Sequence, residues 1–203
     1  MLKCVWMCLF CGLLHGASTQ HLTSLKGVDY LPLDSNINQH RYHVYIKAPA
    51  TQASEPTRYP VVLLLDGGNL FPMLAPYHQN LQLAEELPPV ILVGISYGTH
   101  DWREGNKRST DYTLPAKDRD HYGGADDFNK VLNTELMPLL KTRYPIDEQR
   151  IILMGHSIGG QFALYAAMFQ PEEYFALIAS NPAIHNNTDE FLRQPEPTTA
   201  RPH

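Results

Sequence analysis

The sequence predicts an α/β fold, a mostly parallel sheet with helices on both faces. Continuous apolar runs at 61–66 (VVLLLD), 90–96 (VILVGIS), 151–154 (IILM) and 175–180 (FALIAS) read as strands buried between helix layers. Helical patterns separate these runs, and strand, helix, strand in alternation is how a parallel, helix-covered sheet is written in sequence. With 203 residues and 43% hydrophobic composition, the chain is large enough for one domain with a real core.

Each element has its own signal. Residues 41–48 (RYHVYIKA) alternate, which predicts a half-exposed strand. The polar stretch 49–60 carries three prolines and reads as a surface loop. A helix is predicted over 78–87 (HQNLQLAEEL). From Ala125 to Tyr144, Phe128, Val131, Leu132, Leu136, Leu139 and Leu140 recur at i, i+3, i+4 spacing, the apolar face of an amphipathic helix. Asp126 and Asp127 fall in its first turn, where the helix dipole favours negative charge. A further helix is predicted over 160–169, before the run at 175–180.

The first 18 residues differ from the rest. Lys3 precedes the apolar run 4–14 (CVWMCLFCGLL), and small residues follow at Gly16 and Ser18. This predicts a secretory signal peptide and hence a secreted or periplasmic protein; the run is too short to span a bilayer, and an uncleaved membrane-surface anchor is the alternative. Cys4, Cys8 and Cys11 all lie within it, so the exported chain is expected to have no disulfide and no thiol chemistry. A net charge of −5 without long runs of one sign gives no nucleic-acid surface, and the ten histidines lack HExxH-type spacing, so neither nucleic acid nor a metal is expected.

The chemistry centres on MGHSIGGQ (154–161), a Gly-x-Ser-x-Gly pattern between a buried-type strand and an apolar helix. A strand turning at once into a helix strains the serine backbone and brings flanking chains too close for side chains, which is why glycines are needed. The turn exposes Ser157 Oγ at the positive end of a helix, with the Ile158 N–H aimed at a developing oxyanion. The second amide donor is expected from LLLDGGN (63–69), with Gly68 first and Asn69 as alternative; a strand-to-loop turn without catalytic role is the other reading.

DGGNLF (66–71), RSTDYTLP (108–115), GGADDFNKVLNTELMPLLKTRYPID (123–147) and RIILMGHSIGGQFALYA (150–166) resemble the esterase family of α/β-hydrolases, over about residues 25 to 187. Its members include enterochelin-type siderophore esterases and, more distantly, esterase D and S-formylglutathione hydrolase. The resemblance implies an α/β-hydrolase fold and carboxylic ester hydrolysis without a cofactor. It also implies Ser157 as nucleophile, Gly68 and Ile158 as oxyanion donors, and a small-molecule ester as the partner.

Such hydrolases run in the order serine, acid, histidine, each on a later strand. Only 46 residues follow Ser157, and they end in the proline-rich RQPEPTTARPH. The expected organisation is therefore a signal peptide (1–18), a hydrolase domain incomplete at its C-terminus (19–187) and a proline-rich tail (188–203), with activity impaired. A non-catalytic remnant or small-molecule-binding module is the alternative. His185, just past the strand 175–180, is the best available base, against a solvated loop histidine. Asp189 is a possible acid, against a helix cap formed by Asn187 with Glu190. His156, beside the serine, is read as packing.

The long stretch 97–123 lacks helical period, and a loop of that length is usually functional. It is expected to wall the pocket with Tyr97, Trp102, Arg108 and Tyr112, which suit an aryl or catechol group. Five basic and five acidic residues between 101 and 120 leave no net field to steer an acidic substrate. The alternative is a structural loop pinned by an Arg108–Asp111 pair.

Overall fold

The computed structural model describes residues 25–49 and 58–192. The segment 1–18 expected to be a signal peptide, with its cysteines, most of the 49–60 loop and the tail beyond 192 lie outside the described residues.

Six strands form one sheet: β1 (Asp29–Asp34), β2 (Arg41–Lys47), β3 (Tyr59–Leu64), β4 (Ile91–Ser96), β5 (Ile146–His156) and β6 (Ala176–Ser180). Their order is β1-β2-β4-β3-β5-β6. Pairs β1/β2 and β2/β4 are antiparallel; β4/β3, β3/β5 and β5/β6 are parallel. The helices are α1 (Gly67–Leu83), α2 (Arg108–Asp111), α3 (Ala125–Lys130), α4 (Met137–Lys141), α5 (Ile158–Phe169) and α6 (Thr188–Leu192). This mixed sheet with helices on both faces is an α/β-hydrolase fold.

The sheet divides the core in two. On one face Phe128, Val131, Leu132, Leu136 and Phe162 pack against Val44, Val61, Leu63 and Leu153. On the other, Phe71 and Ala75 of α1 meet Tyr45, Leu64 and Leu92. β2 is therefore covered on both faces and buried from Tyr42 to Ile46, not half-exposed. Its alternation reflects two tyrosines and a histidine, which are buried here because helices cover both sides and β1 and β4 flank it.

The helix predicted at 78–87 begins much earlier, at Gly67, and ends at Leu83. Gly67, Phe71 and Ala75, spaced by four, form its buried stripe despite Pro72 and Pro76. Glycines make this docking possible: a Cβ on Gly67 would lie 2.4 Å from the Gly94 carbonyl carbon, and one on Gly94 2.7 Å from Phe71 Cβ.

The amphipathic helix over 125–144 forms as α3, a wide π-helical segment (Val131–Leu136) and α4. Pro138 has no N–H to give to Thr134, and the Met137 N–H instead reaches back to the Leu132 carbonyl, which widens the turn.

Candidate active site

β3 and β5 are hydrogen-bonded neighbours, Leu64 opposite Met154, so the turns leaving the two strands flank one crevice. The chain leaves β3 for β4 on one side and returns as β5 on the other. That reversal opens a crevice at the carboxyl ends of the strands, where such sheets bind ligands.

On the β5 side is the elbow. Ser157 holds φ 56° and ψ −117°, outside the regions a side-chain-bearing residue normally occupies, and it is half-buried. A Cβ on Gly155 would stand 2.1 Å from the Gly159 carbonyl oxygen, so strand and helix meet there backbone to backbone. α5 starts at Ile158, whose N–H belongs to the first turn and has no partner within the helix. Ser157 N–H donates to the Ser180 carbonyl, and the Ser157 carbonyl accepts from Gln161 and Ala183 N–H (3.0 Å each).

On the β3 side, Asp66 adopts the left-handed conformation before α1. Its carbonyl accepts from both Asn69 and Leu70 N–H, at 2.9 and 3.1 Å. The Asn69 amide is thereby engaged, which removes it as the alternative oxyanion donor. Gly68 N–H lies in the first turn, ahead of those bonds. The Asp66 carboxylate is held bidentately by Arg108 Nε and Nη2, 2.7 Å each. These hydrogen bonds, together with the negative charge of Asp66, raise the Arg108 pKa against the opposing effect of burial.

Between the two sides lies a cleft of about 310 Å³ that Gly68, Asn69, Tyr97, His100, Arg108 and His156 line. It brings together four of the predicted site residues. Arg108 does not pair with Asp111, as the structural alternative had it. Asp111 is buried and accepts from Tyr42 OH (2.7 Å) and Tyr97 OH (2.8 Å), with His40 Nδ1 at 2.9 Å. Tyr97 thus borders the cleft with its hydroxyl turned into the core.

Other predicted residues lie elsewhere. Tyr112 is fully buried among Phe128, Phe162 and Tyr97, so it belongs to the core and not to a pocket wall. Burial holds its phenol, like that of Tyr97, neutral well above the usual tyrosine range. Trp102 is 68% exposed and lines a neighbouring cleft. His185 and Asp189 line a third cleft with Lys117, Arg119 and Glu190, apart from Gly68 and His156. His156 is exposed, not packed, and its Nδ1 is 3.2 Å from Ser180 Oγ.

α6 forms, but the Asn187 side chain does not cap it. Its Oδ1 accepts from Gln161 and its Nδ2 donates to the Pro115 carbonyl, tying the elbow helix to the loop before α3. Sequence reasoning also missed Asp66 and Asn106, and gave Asp111 only as a partner for Arg108; the Asp-Gly-Gly after a buried strand was the one signal that pointed at Asp66. Among the described residues no group of three or more His, Cys, Asp or Glu could hold a metal, and no helix is long and apolar enough to cross a membrane.

The family model described as "Putative esterase" matches residues 35–197. The "Ferri-bacillibactin esterase BesA" of Bacillus subtilis is 27% identical over 193 residues, 87% of this chain and 65% of that protein. The "Apo-salmochelin esterase" of Escherichia coli O6:H1 is 31% identical over 170 residues, 78% of this chain and 52% of that one. Among solved structures, the BES protein of Bacillus cereus superposes with a TM-score of 0.75 at 26% identity, over 83% of this chain and 66% of that one. The chain thus spans from about half to about two thirds of the length of the relatives it matches.

Proposed function

The chain belongs to the esterase family whose model covers residues 35–197, and from that premise we propose that it is a carboxylic ester hydrolase of the siderophore-esterase kind, with Ser157 as nucleophile. One observation carries the serine assignment: the strained backbone of Ser157, at the head of α5 and level with the turn after β3. Ser157 Oγ attacks the ester carbonyl carbon, a C–O bond forms, and the carbonyl oxygen gains charge between the Gly68 and Ile158 N–H groups. Collapse breaks the bond to the alcohol, which leaves with the proton that Oγ gave up; water then attacks the acyl carbon, the bond to Ser157 Oγ breaks, the acid leaves and Oγ regains a proton from that water. An apolar start at 4–14 supports export of the protein.

Proton removal needs a base. The exposed His156 is tied to Ser180, and among the described residues no hydrogen bond links the Ser157 hydroxyl to a histidine or carboxylate. That observation favours impaired catalysis in this chain, at the residual level that oxyanion donors and binding sustain without a complete triad, about 10³–10⁴ over water. It also keeps a second reading open, a binding module that uses the same cleft without turnover. Fluorophosphonate labelling and short-ester hydrolysis by the chain and by Ser157→Ala decide between them. Slow reaction that disappears in Ser157→Ala is expected. Reaction that persists in that variant, or none in the wild type, defeats the hydrolase reading.

A further inference from the structure

We propose that the cleft between the loop ahead of α3 and the start of α6 binds a short peptide zwitterion, its carboxylate held by Lys117 and Arg119 and its ammonium by Asp189 and Glu190. This site goes beyond the hydrolase reading and needs no chemistry at Ser157.

The cleft measures about 380 Å³, with residues 115–119 as one wall and residues 185–190 as the other. This volume is at the low end of small-molecule sites. The walls are tied at their base by Asn187, which is 2% exposed. Its Nδ2 donates to the Pro115 carbonyl (2.8 Å) and its Oδ1 accepts from Gln161 Nε2 (3.0 Å). In the first wall Arg119 N–H donates to the Ala116 carbonyl at 3.2 Å, and the two residues form an antiparallel bridge. That closes a tight turn with Lys117 and Asp118 at its two central positions. In the second wall Asn187 N–H donates to the Ile184 carbonyl (2.9 Å), and Phe191 N–H donates to the Asn187 carbonyl (3.2 Å). The backbone on both sides is therefore fixed, and only side-chain ends are left to adjust.

The charges are divided between the walls. The first carries Lys117, Asp118 and Arg119, net +1; the second carries Asp189 and Glu190, net −2, beside the imidazole of His185. None of these five charged side chains makes an ion pair or a side-chain hydrogen bond among the described residues. Opposite charges that line one cleft without meeting across it leave room for a ligand that bears both. A ligand of one sign fits badly, because a dianion confronts three carboxylates and a dication confronts Lys117 and Arg119. No three of the acids and His185 are placed to hold a metal ion.

The gap sets the length of the ligand. In a free α-amino acid both charges hang from one carbon, and each further extended residue adds about 3.3–3.6 Å of reach. A dipeptide is thus the shortest peptide that separates its charges enough to serve two walls that do not touch. Asn186 is half-buried in the lining, and its side chain has no hydrogen bond among the described residues. Its amide offers both a donor and an acceptor to the peptide group between the two charges. One exposed ion pair is worth little. Two carried by one ligand reinforce each other, because the second forms at the high effective concentration that the first creates.

The test follows the backbone amide signals of the full 203-residue chain by NMR while glycylglycine is added at neutral pH. Saturable shifts at residues 116–119 and 185–190 are expected. The affinity should be at least about tenfold higher than for N-acetylglycylglycine, which lacks the ammonium, or glycylglycinamide, which lacks the carboxylate; that is the step one charge-assisted hydrogen bond supplies. Lys117→Gln with Arg119→Gln should bring glycylglycine down to the level of glycylglycinamide without weakening glycylglycinamide itself. Asp189→Asn with Glu190→Gln should bring it down to the level of N-acetylglycylglycine. Lys117→Arg with Arg119→Lys keeps both charges and should retain binding. All four side chains are exposed, so the fold tolerates these changes. Glycylglycine binding no tighter than the controls, or indifferent to either charge-removing pair, overturns the site. Shifts at the Gly68 cleft in place of these walls overturn it as well, and each of these results leaves the hydrolase reading standing.

Discussion

The elbow makes a sharp demand on two glycines of one motif, and Gly155→Ala and Gly159→Ala separate them. An alanine Cβ at 155 would lie 2.1 Å from the Gly159 carbonyl oxygen and 2.3 Å from its carbon, all backbone atoms in the first turn of α5. An ordinary carbon–oxygen contact is about 3.3 Å or more, so strand and helix must part by about 1 Å. Forcing a methyl into a packed site costs about 1–3 kcal/mol, and backbone on both sides places this case at the upper end, about 3 kcal/mol. For a chain of this size that lowers Tm by about 6–12 °C. If Ser157 is the nucleophile proposed above, a 1 Å displacement from the Gly68 and Ile158 amides also costs about a hundredfold in rate. At 159 the nearest atoms are Asp66 Oδ2 and Leu65 Cβ, both 3.4 Å from the added Cβ. Alanine there fits, and it is the better helix former by about 1 kcal/mol. Thermal melts and fluorophosphonate labelling of both variants supply the measurement. Equal stability of Gly155→Ala and wild type, or equal damage from Gly159→Ala, would refute the backbone contact as the reason for the motif.

Three further outcomes are expected from the surroundings of the cleft. Arg108→Lys replaces a two-bond fork on Asp66 with a point charge, and about 1 kcal/mol of stability and about tenfold in Ser157 labelling should go, because Asp66 also sets the turn of Gly68; unchanged labelling would free Asp66 from that role. Asp111→Leu leaves Tyr42 OH, Tyr97 OH and His40 without their acceptor inside the core and should cost about 3–5 kcal/mol in urea unfolding, with Asp111→Asn intermediate. Burial raises the Tyr42, Tyr97 and Tyr112 pKa values far above the usual 10. The neutral phenol is the folded form, so their contribution is complete below pH about 10 and is lost as rising pH ionises the unfolded chain. Tyrosinate absorbance should thus rise first for exposed tyrosines and then cooperatively with unfolding; all 11 titrating together in a folded chain would contradict it.

What could be read from the sequence was local. Gly-x-Ser-x-Gly after an apolar run marks an elbow because strand, turn and helix are contiguous there. The start of α1 was not legible: Gly67, Gly68, Pro72 and Pro76 each argue against a helix, and what overrides them is the seat that Gly94 leaves for Phe71, more than 20 residues away. Arg108 has Asp111 three residues on, yet its partner is Asp66, at a separation of 42. Tyr112 looked like a pocket wall because its neighbours are polar, but the short α2 turns it inward onto Phe128 and Phe162. β1 was missed because DYLPLD is short, acidic at both ends and broken by proline, and its pairing with β2 comes from the hairpin as a whole.

The strained serine draws its support from β6. A residue held in a sparsely populated backbone region costs about 1–3 kcal/mol and persists only where its surroundings hold it. For Ser157 those surroundings are the Ser180 carbonyl on its N–H, the Ala183 N–H on its carbonyl, and Gly160 lying so close that a Cβ would be 2.8 Å from the Ser180 oxygen. Two backbone hydrogen bonds at about 1 kcal/mol net each are the right size to offset the strain. Both come from the end of β6 and the turn after it, a strand that pairs with β5 alone among the described residues and leaves Phe175 and Ile178 exposed on its flank. The geometry of Ser157 is therefore only as firm as the docking of this strand. Hydrogen exchange reads the coupling directly: the Ser157 and Ala183 amides should exchange at the rate of the β6 amides, because one opening releases them all. A Ser157 amide protected about tenfold longer than β6 would mean that the turn holds itself, and the strain would then need another source of support.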